Sequence, residues 1–85
     1  MNSENIEKVL ETEIFDEYIK SEDYISKYYL KKLLKRNFPS ISEEIIYFAI
    51  NFCNDIIKPP RKKKEYIKTL SRVLSEHSSR ASLTI

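Results

Sequence analysis

The sequence predicts an all-α fold, a small single-domain bundle of four helices, and three observations support this. The spacing of apolar residues follows the helical period almost throughout the chain. The 85 residues include no glycine, so tight hairpins and phosphate-binding glycine loops lack their usual residue. Serine, asparagine and proline mark the segment boundaries instead, and these residues suit helix starts and stops.

The first helix is predicted over residues 4–20, with Ser3 as its N-cap. Its inward face is formed by Ile6, Val9, Leu10 and Ile14. The acidic residues of this segment suit the positive end of a helix dipole. Thr12 and Glu13 mark the place where a bend or a second helix start would fit.

The second helix is predicted over residues 22–37, with Ser21 as its cap. Asn37 takes the place of the missing glycine and is expected to end the helix in the left-handed conformation. The apolar residues that share the inward face are Tyr29, Leu30, Leu33, Leu34 and Phe38.

The third helix, residues 41–57, has the clearest start signal, because Pro39 precedes a capping box that runs from Ser40 to Glu43. Pro59 and Pro60 end it. Apolar residues cover more than half of its circumference: Ile45, Ile46, Phe48, Ala49, Ile50, Phe52, Cys53, Ile56 and Ile57. The pattern predicts that this helix is central, and that truncating Phe52 to alanine costs about 3–5 kcal/mol.

The fourth helix is predicted over residues 61–77, and residues 1–77 then form one helical domain. Its narrow apolar stripe consists of Tyr66, Ile67, Leu70, Val73, Leu74 and His77. Residues 78–85 continue no helical stripe and are expected to form a flexible C-terminal tail.

The net charge of +2 hides a strong asymmetry. Residues 1–23 hold eight acids against two lysines, whereas residues 24–85 hold thirteen bases against five acids. We call residues 1–23 the acidic head and residues 24–85 the basic body. The two either neutralise each other within one chain or face two different partners. The sequence leaves both alternatives open.

An enzymatic role is not expected. His77 is the sole imidazole and falls within an apolar stripe, where a partly buried structural histidine is the simpler interpretation. Cys53 lies in the most apolar helix and is expected to behave as a small hydrophobe. One cysteine and one histidine are too few for the ligand set of a zinc site. No metal, cofactor or small-molecule substrate is predicted.

The expected location is intracellular and cytoplasmic, with the nucleus left open. A single cysteine rules out an internal disulfide framework and fits a reducing compartment. The N-terminus carries no signal-peptide pattern, and no apolar run reaches the roughly 18 residues that a membrane span needs.

The basic surface is the candidate functional site. Positive charges at the start of the fourth helix oppose its dipole, which indicates an anionic partner. In the second helix an aromatic residue lies among bases, as is typical of nucleic-acid contacts. The predicted binding residues are Tyr28, Lys31, Lys32, Lys35, Arg36, Arg61, Lys62, Lys63, Lys64, Lys68 and Arg72.

These features favour a non-enzymatic regulatory, adaptor or inhibitor protein that docks on an acidic protein surface. The alternative is a DNA- or RNA-binding protein that makes mainly phosphate contacts. Lysine-rich faces are also common as merely solvated surfaces, and a homodimer would cover the wide apolar face of the third helix. The acidic head favours the protein-binding alternative.

The run Tyr66-Ile67-Lys68-Thr69-Leu70-Ser71-Arg72-Val73-Leu74 follows an apolar helix and a basic loop. In this order of features, residues 41–74 resemble the C-terminal helical segment of DnaD-type primosome domains. The resemblance covers under half of the chain, which lacks the tryptophan of that pattern. It implies association with DNA.

Overall fold

The computed structural model describes residues 3–20 and 23–83. Within these residues the chain forms a small all-α domain of four helices, α1 (Ser3–Glu13), α2 (Tyr24–Asn37), α3 (Glu43–Ile56) and α4 (Lys63–Leu83). Two short strands, β1 (Tyr18–Ile19) and β2 (Arg61–Lys62), lie before α2 and before α4. The predicted fold class is therefore confirmed, while several element boundaries differ from the prediction.

The first helix ends at Glu13 and not at residue 20. Acidic residues dominate the segment after Thr12, and negative charge is unfavourable at the C-terminal end of a helix. The chain instead extends, and β1 pairs antiparallel with β2, with Ile19 opposite Arg61. This pairing buries Ile19, whereas Phe15 in the connecting loop is 91% exposed.

The second helix begins one residue after its N-cap, Asp23, whose carboxylate accepts a hydrogen bond of 2.7 Å from the Ser26 amide. This backbone hydrogen bond lowers the pKa of Asp23. Ser21, the predicted cap, lies outside the described residues. The prediction for Asn37 is wrong: it stays helical and donates to the Leu33 carbonyl, and no described residue has a positive φ.

The third helix is capped by Ser42, two residues after the predicted Ser40. The Ser42 hydroxyl accepts from the Ile45 amide at 3.3 Å, so the third helical position is Ile45 and no reciprocal glutamate completes a capping box. Ile41 is buried just before this cap. Burial of Ile41 therefore fixes the entry of the chain into α3.

The fourth helix begins at Lys63, because Arg61 and Lys62 belong to β2. It continues past the predicted end at His77 to Leu83. The part of the predicted tail that lies within the described residues is therefore helical, and residues 84–85 lie outside them.

The core joins one face of every helix. α3 packs against α2 and α4, and α4 packs also against α1 and both strands; that α3 is the central helix remains a prediction. The buried apolar side chains are Ile6, Leu10, Ile19, Leu30, Leu34, Phe38, Ile41, Ile46, Ala49, Ile50, Cys53, Ile57, Tyr66, Ile67, Leu70, Val73 and Leu74. These residues confirm the predicted inward faces of α1 and α4.

Several residues expected in the core lie at the surface. Tyr29 on α2 is 69% exposed. On α3, Phe48, Phe52 and Ile56 are 47%, 41% and 56% exposed. The apolar arc of α3 is wider than the surface that α2 and α4 cover, so one side of it stays in contact with solvent.

Candidate functional site

Lys31, one of the predicted binding residues, connects α2 to α3. Its side chain is only 18% exposed and forms an ion pair of 3.5 Å with Glu43. Its Nζ also lies 4.9 Å from the centroid of the Tyr47 ring. Desolvation lowers the pKa of Lys31, but contacts with Tyr47 and Glu43 outweigh it and raise the pKa. Lys31 is therefore already engaged within the fold.

Lys35 and Arg36 are also engaged by neighbouring elements. The Lys35 ammonium donates to the carbonyls of Pro39 and Ile41, at 3.1 and 2.8 Å, and so holds the connection between α2 and α3. Arg36 forms an ion pair of 3.0 Å with Glu13 at the end of α1. Lys35 therefore holds the α2–α3 connection, whereas Arg36 is 68% exposed and its surface ion pair contributes little to stability.

Tyr28 and Lys32 form an exposed pair on α2. The Lys32 Nζ lies 5.6 Å from the centroid of the Tyr28 ring, which is a cation–π distance. Tyr28 is 43% exposed. The sequence predicts an aromatic residue among basic residues on this helix, and Tyr28 and Lys32 lie side by side with both side chains at the surface.

Arg61 does not belong to a binding surface. It is 4% exposed, its Nε donates to the Ile57 carbonyl at 2.7 Å, and an Nη donates to the Asn54 carbonyl at 3.3 Å. The last carbonyls of a helix lack intrahelical donors, and the following prolines have no N–H to offer. Arg61 supplies these donors, a role that the proline pair after α3 could have indicated from sequence.

Lys63 connects the basic run to the acidic head. Its Nζ donates to the Glu11 carbonyl at 2.9 Å, and its amide donates to the Glu17 carbonyl at 2.8 Å. A hollow of about 460 Å³ beside these contacts is lined by Glu11, Glu17, Lys62, Lys63 and Lys64. Acidic head and basic body therefore meet within one chain at this point.

Lys64, Lys68 and Arg72 form a row on the outer face of α4, which we call the α4 basic row. All three are exposed, and none has an ion pair or a side-chain hydrogen bond within residues 3–20 and 23–83. They follow one another at intervals of four residues, about 6 Å apart along the helix surface. Lys62 is also exposed and without such a partner in that part of the chain. Lys62 and Lys64 both line the hollow beside Glu11 and Glu17, whereas Lys68 and Arg72 are not among its lining residues.

The two basic regions do not form one surface. α2 packs against α3, whereas α4 lies between α3 and α1. The Tyr28–Lys32 pair and the α4 basic row are therefore carried by helices on separate parts of the domain. The structure divides the predicted site into cations used by the fold and two separate groups of exposed ones.

A larger groove, of about 890 Å³, lies between the chain after α1 and the outer face of α2. The sequence did not predict this groove, because it predicts helix up to residue 20, with at most a bend or a second helix start at Thr12 and Glu13, whereas the chain leaves the helix after Glu13. Its lining mixes apolar side chains with both signs of charge: Glu13, Ile14, Asp16, Tyr18, Ile19, Lys20, Ser26, Tyr29, Leu30, Lys32, Leu33, Lys35 and Arg36.

His77 and Cys53, the two residues considered for catalysis, both lie among side chains that pack in the fold. His77 is half-buried, and its ring stacks edge-on against Phe48 at a centroid distance of 4.7 Å. Cys53 is buried, and burial raises the pKa of its thiol to about 12. The interpretation of Cys53 as a small hydrophobe is confirmed. In the described part of the chain no three His, Cys, Asp or Glu side chains form a group that could hold a metal ion.

None of the described helices is both long and apolar enough to cross a bilayer. No protein-family model, no curated protein and no solved structure matches the chain. The resemblance of residues 41–74 to DnaD-type domains therefore finds no support in these comparisons.

Proposed function

We propose that this protein is a small non-enzymatic regulatory, adaptor or inhibitor protein that docks on an acidic surface of another protein. The observation that carries this proposal is the α4 basic row, in which Lys64, Lys68 and Arg72 are exposed and unpaired among the described residues. Of the other candidate cations of helix four and its approach, Arg61 is buried and Lys63 is bonded to the acidic head. Lys62 lines the hollow beside the acidic head, as Lys64 also does.

A rigid helix suits this role because it presents the three charges without rearrangement. Each long side chain loses rotamer entropy when it binds, but the backbone positions are already fixed by packing of α4 on α1 and α3. Charges on an interface rim mainly accelerate association and select the partner. The row therefore favours a partner whose acidic groups repeat at similar spacing.

The non-enzymatic part of the proposal rests on the surroundings of His77 and Cys53. A general base needs a position within reach of a substrate, and a nucleophilic thiol needs a lowered pKa. Burial has the opposite effect on Cys53. We also place the protein in a reducing intracellular compartment, because its single cysteine has no partner for an intrachain disulfide.

The alternative function is binding of DNA or RNA, and the Tyr28–Lys32 pair favours it. An exposed aromatic ring with a base over its face resembles the stacking platforms that contact single strands. The α4 basic row would contact phosphates. Glu65 and Glu76 are also exposed on α4, and their charge opposes a phosphate backbone on that side.

The test compares two triple variants of equal charge change. Lys64→Glu, Lys68→Glu and Arg72→Glu together remove the α4 basic row. Lys8→Glu, Lys20→Glu and Lys58→Glu form the matched control, because these three lysines are exposed and lie elsewhere. Lys63 is left unchanged, because it holds β2 and α4 to the acidic head. Circular dichroism checks that both variants keep their helix content.

Binding is measured by fluorescence anisotropy with a labelled glutamate-rich peptide, a labelled single-stranded DNA and a labelled duplex. We expect the row variant to bind the acidic peptide at least about tenfold more weakly at about 50 mM salt, and the control to change less than about threefold. Equal losses in both variants would mean that only overall charge matters. DNA binding with a log–log salt slope near −3 would select the alternative function.

A further inference from the structure

The hollow beside the start of α4 brings together charges from two distant parts of the chain. Glu11 lies near the end of α1, and Glu17 directly precedes β1. Lys62, Lys63 and Lys64 run from β2 into α4, and all five residues line the hollow. We call Glu11 and Glu17 the head acids. They lie at the end of the α4 basic row that Lys64 forms.

Backbone groups hold the acidic head at this place. The Lys63 Nζ donates to the Glu11 carbonyl at 2.9 Å, and the Lys63 amide donates to the Glu17 carbonyl at 2.8 Å. Ile19 continues the contact by pairing with Arg61. Because these interactions use backbone carbonyls and strand pairing, the position of the head does not depend on the charge of the head acids.

The fold does not explain the carboxylates of the head acids. Both residues are exposed, and among residues 3–20 and 23–83 neither side chain forms an ion pair or a hydrogen bond. Glu11 lies in the last turn of α1, where negative charge opposes the helix dipole. A sequence selected for stability alone would not favour an acid at that position.

The head acids oppose the approach of an acidic partner to Lys64. Exposed charges act on one another over about 8 Å at physiological salt. Lys62 and Lys64 flank Lys63, which bonds the backbone of both head acids, so the charges of the hollow lie close together. Arg72 follows Lys64 by eight residues, or about 12 Å along α4, and does not line the hollow. The head acids therefore lower the positive potential most at Lys64 and least at Arg72.

Two further acids lie on α4 itself. Glu65 follows Lys64 directly, and Glu76 lies four residues after Arg72, and both are exposed. Each end of the α4 basic row thus has one acid on its own helix. Only the Lys64 end also adjoins acids from another part of the chain. The two ends of the row differ because of the head acids.

We propose that the head acids regulate the α4 basic row, because they hinder contact of an acidic partner with Lys64 and leave Lys68 and Arg72 as its main contacts. This inference rests on the proposed function, since it concerns the same row and the same class of partner. The acidic head acts as an intramolecular competitor whose local concentration is fixed by the chain. Neutralisation of the head acids makes Lys64 available to the partner.

The test neutralises the head acids and keeps their shape. Glu11→Gln with Glu17→Gln, the neutral-head variant, retains the carbonyl oxygens that Lys63 bonds. Asp16→Asn with Glu44→Gln is the matched control, because both residues are exposed, neither lines the hollow, and the change in net charge is equal. Circular dichroism checks that both variants keep their helix content.

Binding of the labelled glutamate-rich peptide is measured by fluorescence anisotropy at about 0.15 M salt. We expect the neutral-head variant to bind at least about threefold more tightly than the wild type, because two nearby charges that repel the peptide are removed. The control is expected to change binding by less than about 1.5-fold, since charges beyond the screening length contribute little.

Further substitutions locate the effect along the row. In chains that carry Lys64→Gln, the gain from neutralising the head acids is expected to fall below about 1.5-fold, because the peptide then contacts only the distant cations. In chains that carry Arg72→Gln, a gain of at least about threefold is expected to remain.

An equal gain in the control would overturn the inference, because net charge alone would then explain it. Equal gains in the Lys64→Gln and Arg72→Gln chains, or wild-type binding that the neutral-head variant does not improve, would also overturn it. Binding by the neutral-head variant alone would support it. If neither the wild type nor the neutral-head variant binds the peptide, the proposed function itself is contradicted, and the inference fails with it.

Discussion

The Nε of Arg61 donates a hydrogen bond of 2.7 Å to the carbonyl oxygen of Ile57, the residue that caps the C-terminus of α3. A second donor of the same guanidinium reaches the Asn54 carbonyl. The Pro59–Pro60 pair between these residues turns the chain so that Arg61 lies over the end of the helix it has just left. The guanidinium thus satisfies carbonyls that the prolines cannot.

Replacing Arg61 with methionine is expected to lower the free energy of unfolding by about 2–3 kcal/mol. Methionine keeps most of the volume, but the α3 carbonyls lose charged donors in a buried position. Urea unfolding followed by circular dichroism measures the change. Lys62→Met is the control, because the Lys62 side chain is exposed, and it should change stability by less than about 0.5 kcal/mol. Equal effects in both variants would contradict the role of Arg61.

Phe52→Ala is expected to cost less than about 1.5 kcal/mol, since the ring is 41% exposed and leaves little cavity. Ile50→Ala on the same helix should cost about 2–5 kcal/mol, because Ile50 is fully buried. Urea unfolding of the two variants measures both losses of stability under the same conditions. A larger loss for Phe52 than for Ile50 would show that the side of α3 that carries Phe52 is covered in solution.

Ser71→Ala is expected to raise the free energy of unfolding by about 0.5–2 kcal/mol. The Ser71 hydroxyl is fully buried and has no hydrogen-bond partner within residues 3–20 and 23–83. Alanine removes that unpaired group and is a better helix former. Thr69→Ala is the matched control, because it also removes a hydroxyl group from α4, but one that donates a hydrogen bond to the Glu65 carbonyl. A loss of stability in Ser71→Ala would reveal a partner of the hydroxyl in solution.

Cys53 should make stability fall at alkaline pH. Its thiol has a pKa of about 12 in the folded chain and near 9.0 in the unfolded chain. Between these values the unfolded state binds fewer protons, so stability is lost as pH rises, by up to about 1.4 kcal/mol per pH unit. Urea midpoints measured from pH 8 upward should fall less steeply in Cys53→Ala. Parallel curves for both proteins would contradict the buried, protonated thiol.

The sequence alone determined the number of helices and the inward face of most of them. Burial of Ile6 and Leu10 on α1, and of Tyr66, Leu70 and Leu74 on α4, follows from the helical period, because apolar side chains on one side of a helix must leave water together. The period is a local property of the chain. The prediction therefore did not depend on knowing what each face packs against.

The same pattern could not decide how much of a wide apolar arc is covered. Phe52 and Ile50 are both apolar residues of α3, yet one is 41% exposed and the other is fully buried. Exposure depends on the area that α2 and α4 present to α3, which no segment encodes by itself. The short β1–β2 ladder was missed for a similar reason, since its two strands are separated by about half of the chain.

Only the tertiary structure decided which cations are free. Arg61 and Lys64 belong to one basic run, but a turn of the chain brings Arg61 against the carbonyls of α3, while Lys64 projects from α4 into solvent. Composition and periodicity treat these residues alike. The two residues differ because Arg61 lies beside backbone carbonyls that lack another donor, and Lys64 does not. A guanidinium group can be buried only where such acceptors bond it.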